Sequence, residues 1–167
     1  HHLLLDGDYR DINGETPVVN PPLRSHVDVQ SLQKGLRQGV IDVIASDHAP
    51  HSLADKKLGA PGIIGLETTL GLVLTELVRP GMITLGDAVL KMSTNPAKIF
   101  KISGGSLLPG MPADVTIIDM EKEWVVDINS FESKSRNCPF QGWKLKGQAI
   151  MTIVSGTIVM RDGKIVV

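Results

Sequence analysis

The chain has 167 residues, with 17 Lys and Arg against 18 Asp and Glu and a formal net charge of −1. That balance argues against a dedicated nucleic-acid binder, which carries a basic excess or stripe, and 42 % apolar with 21 % charged residues is the composition of a globular chain with a core. The single cysteine, Cys138, excludes an internal disulfide and fits a reducing, cytoplasmic setting, and no apolar run reaches the ~20 residues that cross a bilayer.

The chain begins at His1 rather than Met, and no signal peptide is visible. On their own His1 and His2 read equally as the remnant of a purification tag or as native residues of a chain cut upstream. Leu3–Leu5 reads as the end of a strand. Residues 6–22 are polar and turn-rich, with Gly7, Gly14, Pro17, Pro21 and Pro22, and a loop of that length inside a compact domain is often functional. Val29, Leu32 and Leu36 have helical spacing within Asp28–Gln38, which Gly39 closes. Val40–Ala45 is a β-branched run suited to a strand buried on both faces. It ends at Ser46-Asp47-His48-Ala49-Pro50-His51, and a polar loop follows to Gly62.

Leu66–Val78 reads as an apolar helix closed by Arg79-Pro80-Gly81. Thr84 and Asp87 have the spacing of a capping box, and Asn95-Pro96 restarts a short helix through Phe100, because proline suits a first helical turn. Beyond Lys101 the texture changes. Val115–Asp119, Glu123–Val126, Gln148–Val154, Thr157–Met160 and Lys164–Val167 read as strands, with a hairpin turn at Arg161-Asp162-Gly163. Residues 1–100 are therefore expected to be α/β material and residues 101–167 a small β module.

The chemically informative feature is a strand that ends in Asp-His-Ala-Pro-His. Functional groups of parallel α/β folds gather at the C-terminal ends of strands. A carboxylate beside imidazoles there suits a metal such as zinc and can take a proton from water. From the pattern alone, an Asp-His pair after a strand is more often a loop cap or a surface ion pair than a metal site, and His26 reads as a solvated residue at a helix start.

The ordered series of motifs narrows this. Val19-Asn20-Pro21-Pro22-Leu23-Arg24, Asp42 to His51, Gly65-Leu66-Glu67-Thr68 and Ser93-Thr94-Asn95-Pro96-Ala97-Lys98-Ile99-Phe100 closely resemble the bacterial type of dihydroorotase, in the amidohydrolase superfamily. So do Leu108-Pro109-Gly110, Ala113-Asp114-Val115, Ser133 to Phe140 and Gly142 to Gly147. His1-His2-Leu3-Leu4-Leu5 matches a segment before that family's seventh-strand loop, so the resemblance covers essentially the whole chain and implies that both histidines are native.

The resemblance implies the C-terminal part of a distorted (β/α)8 barrel, followed by a small β-sandwich module. It implies one or two zinc ions at the barrel mouth and reversible hydrolysis of the ring amide of dihydroorotate to N-carbamoyl-aspartate, a step of pyrimidine biosynthesis. Asp47 takes the place of the family's last-strand aspartate, which binds the more exposed metal and ferries a proton from the attacking water to the leaving nitrogen. Asn20 matches a substrate-contacting asparagine and His51 a histidine that holds the substrate carboxylate. Ala60, Pro61 and Gly62 match a segment whose backbone contacts the carboxylate and ring. Here Pro61 replaces an aromatic residue common in relatives, and the loop from His51 to Gly62 looks a few residues short. His48 is expected to support the strand end without binding metal.

The family's other metal ligands lie upstream of this chain's pattern, so the resemblance implies a C-terminal fragment that is inactive alone. It also implies a small-molecule substrate, neither nucleic acid nor membrane as partner, a homodimer when complete, and a possible aspartate transcarbamoylase partner. A hydantoinase, dihydropyrimidinase or allantoinase shares the strand-end aspartate, though His51 and Gly65-Leu66-Glu67-Thr68 lean toward dihydroorotase; a second alternative is a non-catalytic scaffold of aspartate transcarbamoylase. Retention of Asn20, Asp47 and His51 weighs against the scaffold.

Overall fold

The computed structural model describes residues 1–166. Three of its helices begin where short polar side chains satisfy free backbone N–H groups. Helix α1 (His26–Arg37) starts two residues before the expected Asp28, because Ser25 and Asp28 form a reciprocal capping box. The helix buries Val29 and Leu36. A second box, Ser52 with Asp55, starts the short helix α2 (Leu53–Lys57) inside the stretch expected to be a polar loop. The same Ser-x-x-Asp spacing is present there, but no apolar stripe accompanies it.

Two expected strands are corrected. Leu3–Leu5 is a turn, in which Leu4 and Leu5 N–H donate to the His1 carbonyl at 3.0 and 2.8 Å. Leu5 is in the core at 1 % exposure, and Gln33 Nε2 ties the Leu3 carbonyl to α1 at 2.8 Å. Val40–Ala45 is extended chain without a strand ladder. Its backbone groups pair with helical segments instead: Ile44 N–H donates to the Lys91 carbonyl at 3.0 Å, and Asn95 Nδ2 to the Asp42 carbonyl at 2.9 Å. The Lys91 ammonium donates to the Ile41 carbonyl. A β-branched run signals burial in a sheet, but a ladder also needs neighbouring strands. Among the described residues the only parallel bridge is the isolated pair His48 and Ile63.

The expected helix over Leu66–Val78 starts later, as α3 (Thr69–Leu72), and continues in wider π-helical turns over Val73–Val78. Helix α4 (Leu85–Val89) is opened by the Thr84–Asp87 box and runs through π-helical turns (Leu90–Thr94) into α5 (Asn95–Phe100). Leu36, Val73, Leu77, Ile83 and Ala88 form one buried cluster, against which Ile41 and Ile44 pack.

The C-terminal part is one antiparallel sheet in the order β1 (Val115–Val125), β2 (Lys144–Val154), β3 (Thr157–Arg161), β4 (Lys164–Ile165). The two strands expected over residues 115–126 are one strand, with an irregularity between Asp119 and Glu123. There Asp119 Oδ1 accepts from the N–H groups of Glu121 and Lys122 at 2.8 and 3.1 Å. The β3–β4 turn places Asp162 at φ 49° and Gly163 at φ 79°, the two positive φ angles of a type I′ hairpin. Of the expected last strand, Val167 lies outside the described residues. Among the described residues this sheet has no second sheet stacked on it.

What packs on the sheet is the helical run from Thr69 to Val78. Its approach is close because two glycines leave space. A Cβ on Gly71 would lie 2.7 Å from the Trp124 ring, and one on Gly147 would lie 2.5 Å from Leu74 Cδ1. Thr75 Oγ1 accepts from Lys146 N–H at 2.8 Å, and Trp124 Nε1 donates to the Gly147 carbonyl at 3.1 Å. At the rim, Glu121 pairs with Arg79 at 3.0 Å and with Lys146 at 2.7 Å. A second buried cluster (Leu5, Val19, Ile63, Ile64, Leu72, Val126, Cys138, Phe140 and Leu145) joins the sheet to the loops around Asp47.

Two outcomes test this packing. Gly147 has φ +106°, and its missing Cβ faces buried Leu74, so Gly147→Ala is expected to cost about 2 kcal/mol, read as a lower urea midpoint at unchanged slope. Burial raises the Cys138 thiol pKa to about 11, so the folded protein is expected to resist a thiolate-selective reagent at pH 8. Adding denaturant should release that reaction, and fast labelling without denaturant would contradict the buried placement.

Candidate active site

The site is built where two backbone segments nearly touch. Asp47 adopts φ 49°, a left-handed conformation uncommon outside glycine, though Asp is among the residues that tolerate it. Facing it, a Cβ on Gly65 would lie 2.8 Å from the Ser46 carbonyl oxygen. A Cβ on Gly62, at φ +138°, would lie 2.6 Å from Ala49 Cβ and 3.1 Å from the His51 ring. Only glycine at both places lets residues 62–65 lie flat against residues 46–51. Ala49 N–H then donates to the Ile63 carbonyl at 2.8 Å.

His48 locks the same contact. Its Nδ1 accepts from the N–H groups of Gly65 and Leu66 at 3.1 and 3.3 Å, so this ring supports the loop rather than facing the cavity beside Asp47. His26 is exposed and lies 3.4 Å from Asp6 Oδ2 at the start of α1.

Asp47 and Asn20 line the same cavity, of about 380 Å³, with His1, His2, Thr68 and Thr69 on its wall and Leu72 and Phe140 among its apolar lining. A few convergent polar groups in an apolar concavity are the usual make-up of a small-molecule site. The Asp47 side chain is 59 % exposed, and its Oδ2 is 3.9 Å from His1 Nε2, whose side chain is 4 % exposed. The Nε2 atoms of both His1 and His2 are buried without a hydrogen-bond partner, and buried polar nitrogens left unpaired are uncommon. Burial lowers the His2 pKa, against the pull of Asp47. Neither His1 nor His2 stood out in the sequence pattern, because nothing in the spacing of an N-terminal His-His pair announces a cavity wall.

His51, Ala60, Pro61 and Gly62 are not among the residues lining that cavity. They form the adjoining layer, in which the His51 ring stands beside Gly62 and Pro61 is exposed. Lys56 Nζ, half-buried on α2, donates to the carbonyls of Ala60 at 2.7 Å, Gly62 at 2.9 Å and Val18 at 3.4 Å, and burial lowers its pKa. The structure thus brings Asp47 and Asn20 to one cavity, and brings His51 and residues 60–62 to its flank.

A zinc site draws on carboxylate oxygen and imidazole nitrogen, and the Asp47 carboxylate with unpaired imidazole nitrogens nearby fits that chemistry. Among the described residues no cluster of three or more His, Cys, Asp or Glu could by itself hold a metal, so Asp47 fits as one contributed ligand rather than as part of a complete set. Among the described residues no helix is long and apolar enough to cross a membrane.

Comparison with known proteins places this geometry in a family. The Amidohydrolase family profile matches residues 13–159. Dihydroorotase from Pelotomaculum thermopropionicum is 52 % identical over 97 % of this chain and 39 % of its own length, and dihydroorotase from Pyrococcus horikoshii is 46 % identical over 99 % and 39 %. Among solved structures, L-hydantoinase (dihydropyrimidinase) from Arthrobacter aurescens superposes with a TM-score of 0.92 at 34 % identity, over 99 % of this chain and 39 % of that one. Dihydropyrimidinase from Brevibacillus agri superposes at 0.90 and 27 % identity, over 98 % and 38 %. The chain spans about two-fifths of the length of these relatives. The profile match over residues 13–159 and relatives 46–52 % identical over nearly the whole chain establish that the chain belongs to the amidohydrolase family.

Proposed function

We propose that this chain is the C-terminal part of a zinc-dependent dihydroorotase, working within a complete (β/α)8 barrel whose remaining metal ligands come from elsewhere in that barrel. On this reading the four-stranded sheet belongs to a sandwich module completed from outside residues 101–167, and the boundary with the barrel part falls near residue 100. The observation that carries the reading is the placement of Asp47 and Asn20 on one cavity, in a chain 52 % identical to a dihydroorotase over nearly its whole length. A cytoplasmic location suits the lone buried thiol of Cys138.

Asp47 is the group of this chain that would hold zinc, which when bound makes water acidic enough to attack an amide near neutral pH. Asp47 holds the proton released by that water and passes it to the ring nitrogen as the amide bond breaks. The partial exposure of its side chain leaves it free to turn between donor and acceptor. Asn20 offers both a donor and an acceptor to the imide edge of the ring. His51 and the backbone of residues 60–62 hold the exocyclic carboxylate on the adjoining side.

The structural likeness to hydantoinases supports the second reading, a hydantoin- or dihydropyrimidine-cleaving enzyme. The exocyclic carboxylate separates the two, because hydantoin and dihydrouracil lack it. Assayed in the complete zinc-loaded enzyme, dihydroorotate is expected to be turned over at least ~100-fold more efficiently than either. Asp47→Asn, which keeps the shape and removes the base, is expected to lower kcat by ~10³-fold or more. Preference for hydantoin, or full activity of Asp47→Asn, would overturn the assignment.

A further inference from the structure

The segment 131–140 has little regular structure, yet it is seated against the active-site loops by polar contacts that the reaction chemistry does not use. Asn137 reads both loops at once. Its Nδ2 donates to the Gly62 carbonyl at 2.8 Å and to the Ala49 carbonyl at 3.3 Å. Its own carbonyl accepts from Ile64 N–H at 3.0 Å. Its Oδ1 accepts from Ser135 Oγ. Ser135 is 7 % exposed, and its hydroxyl, with one proton to give, lies between that oxygen and the His51 carbonyl, 2.8 Å from the latter.

We propose that Asn137, braced by Ser135, is a positioning residue for substrate binding: it holds the His51 loop and the Ala60–Gly62 loop at a fixed separation. This rests on the proposed function, because those two loops are the ones assigned to the substrate carboxylate. Two carbonyl oxygens that face one another repel unless a donor sits between them. The amide NH2 of asparagine supplies two N–H groups in one plane, one for each carbonyl. Aspartate has the same shape and no donor, so at this position it would add a third acceptor to two. Gly62 makes the arrangement sensitive, since its contact with Ala49 and His51 already leaves no space for a Cβ. The side chain hydrogen-bonds to Ser135, Ala49 and Gly62 rather than to Asp47 or Asn20, and it does not line their cavity. Its effect is therefore on where the carboxylate is held and not on the transfer of the proton.

The test uses the complete zinc-loaded enzyme and its Asn137→Asp and Ser135→Ala variants. For Asn137→Asp, KM for dihydroorotate is expected to rise by about tenfold while kcat stays within about twofold. Ser135→Ala should move KM in the same direction by less. Amide hydrogen exchange read in parallel should accelerate by about tenfold at Ala49, Gly62 and Ile64 and stay unchanged along α1, with zinc content preserved. A fall in kcat at unchanged KM would overturn the proposal, as would a uniform rise in exchange across the protein or none at Ala49 and Gly62. The exchange comparison decides the clamp even if the wild-type enzyme does not turn over dihydroorotate, a result that would instead defeat the assigned function.

Discussion

The backbone of residues 46–49 lies against that of residues 62–65 with no space for a side chain between them, and the site depends on this contact. Gly62 and Gly65 are the residues that permit it, since a Cβ at either would sit within 3 Å of the opposite segment. Asp47 completes the geometry by taking a left-handed conformation, which costs free energy that the surrounding contacts must offset. The His48 ring accepting from two backbone N–H groups and the Ala49 to Ile63 hydrogen bond are those contacts. The result is a carboxylate presented at the cavity by a turn held through backbone contacts on both segments, as the role proposed for it, toward a metal and a substrate, would require.

The C-terminal half does more than cover the core. The chain after β1 returns through Phe131 to Phe140 and inserts Cys138 and Phe140 into the same apolar cluster that carries Ile63, Ile64 and Leu72. Tyr9 donates to the Pro139 carbonyl at 2.6 Å, and the rings of Phe140 and Trp143 meet edge to face at 5.1 Å. Glu67 Oε1 accepts from Ser133 N–H at 2.9 Å. The segment 131–140, which links β1 to β2, is thus joined to the loops around Asp47 by packing and by hydrogen bonds spanning more than sixty residues of sequence.

Local chemistry was legible in the sequence wherever one side chain decides one backbone group. The Thr84–Asp87 box, Pro96 at a helix start, and the Asp162-Gly163 turn all appear where their residue types require them. The Ser52–Asp55 box was equally readable in principle, but its helix has no buried residue, and so lacks the apolar period that draws attention. Val40–Ala45 failed for the opposite reason. Its composition reports burial, whereas a strand is defined by partners, and its partners here are Lys91 and Asn95. Asp47 and Asn20 were visible through the motif series and share a cavity. His1, His2, Asn137 and Lys56 reach the site through contacts between distant segments, and their spacing carries no local signal.

The central claim is that the Asp47 carboxylate is a zinc ligand at this cavity, and it is tested most directly by locating the metal. Crystals of the complete zinc-loaded enzyme, measured on both sides of the zinc absorption edge, are predicted to show an anomalous peak about 2.0–2.2 Å from an Asp47 carboxylate oxygen, in the cavity shared with Asn20. A zinc peak elsewhere, with Asp47 turned to solvent and unbound, would contradict the account.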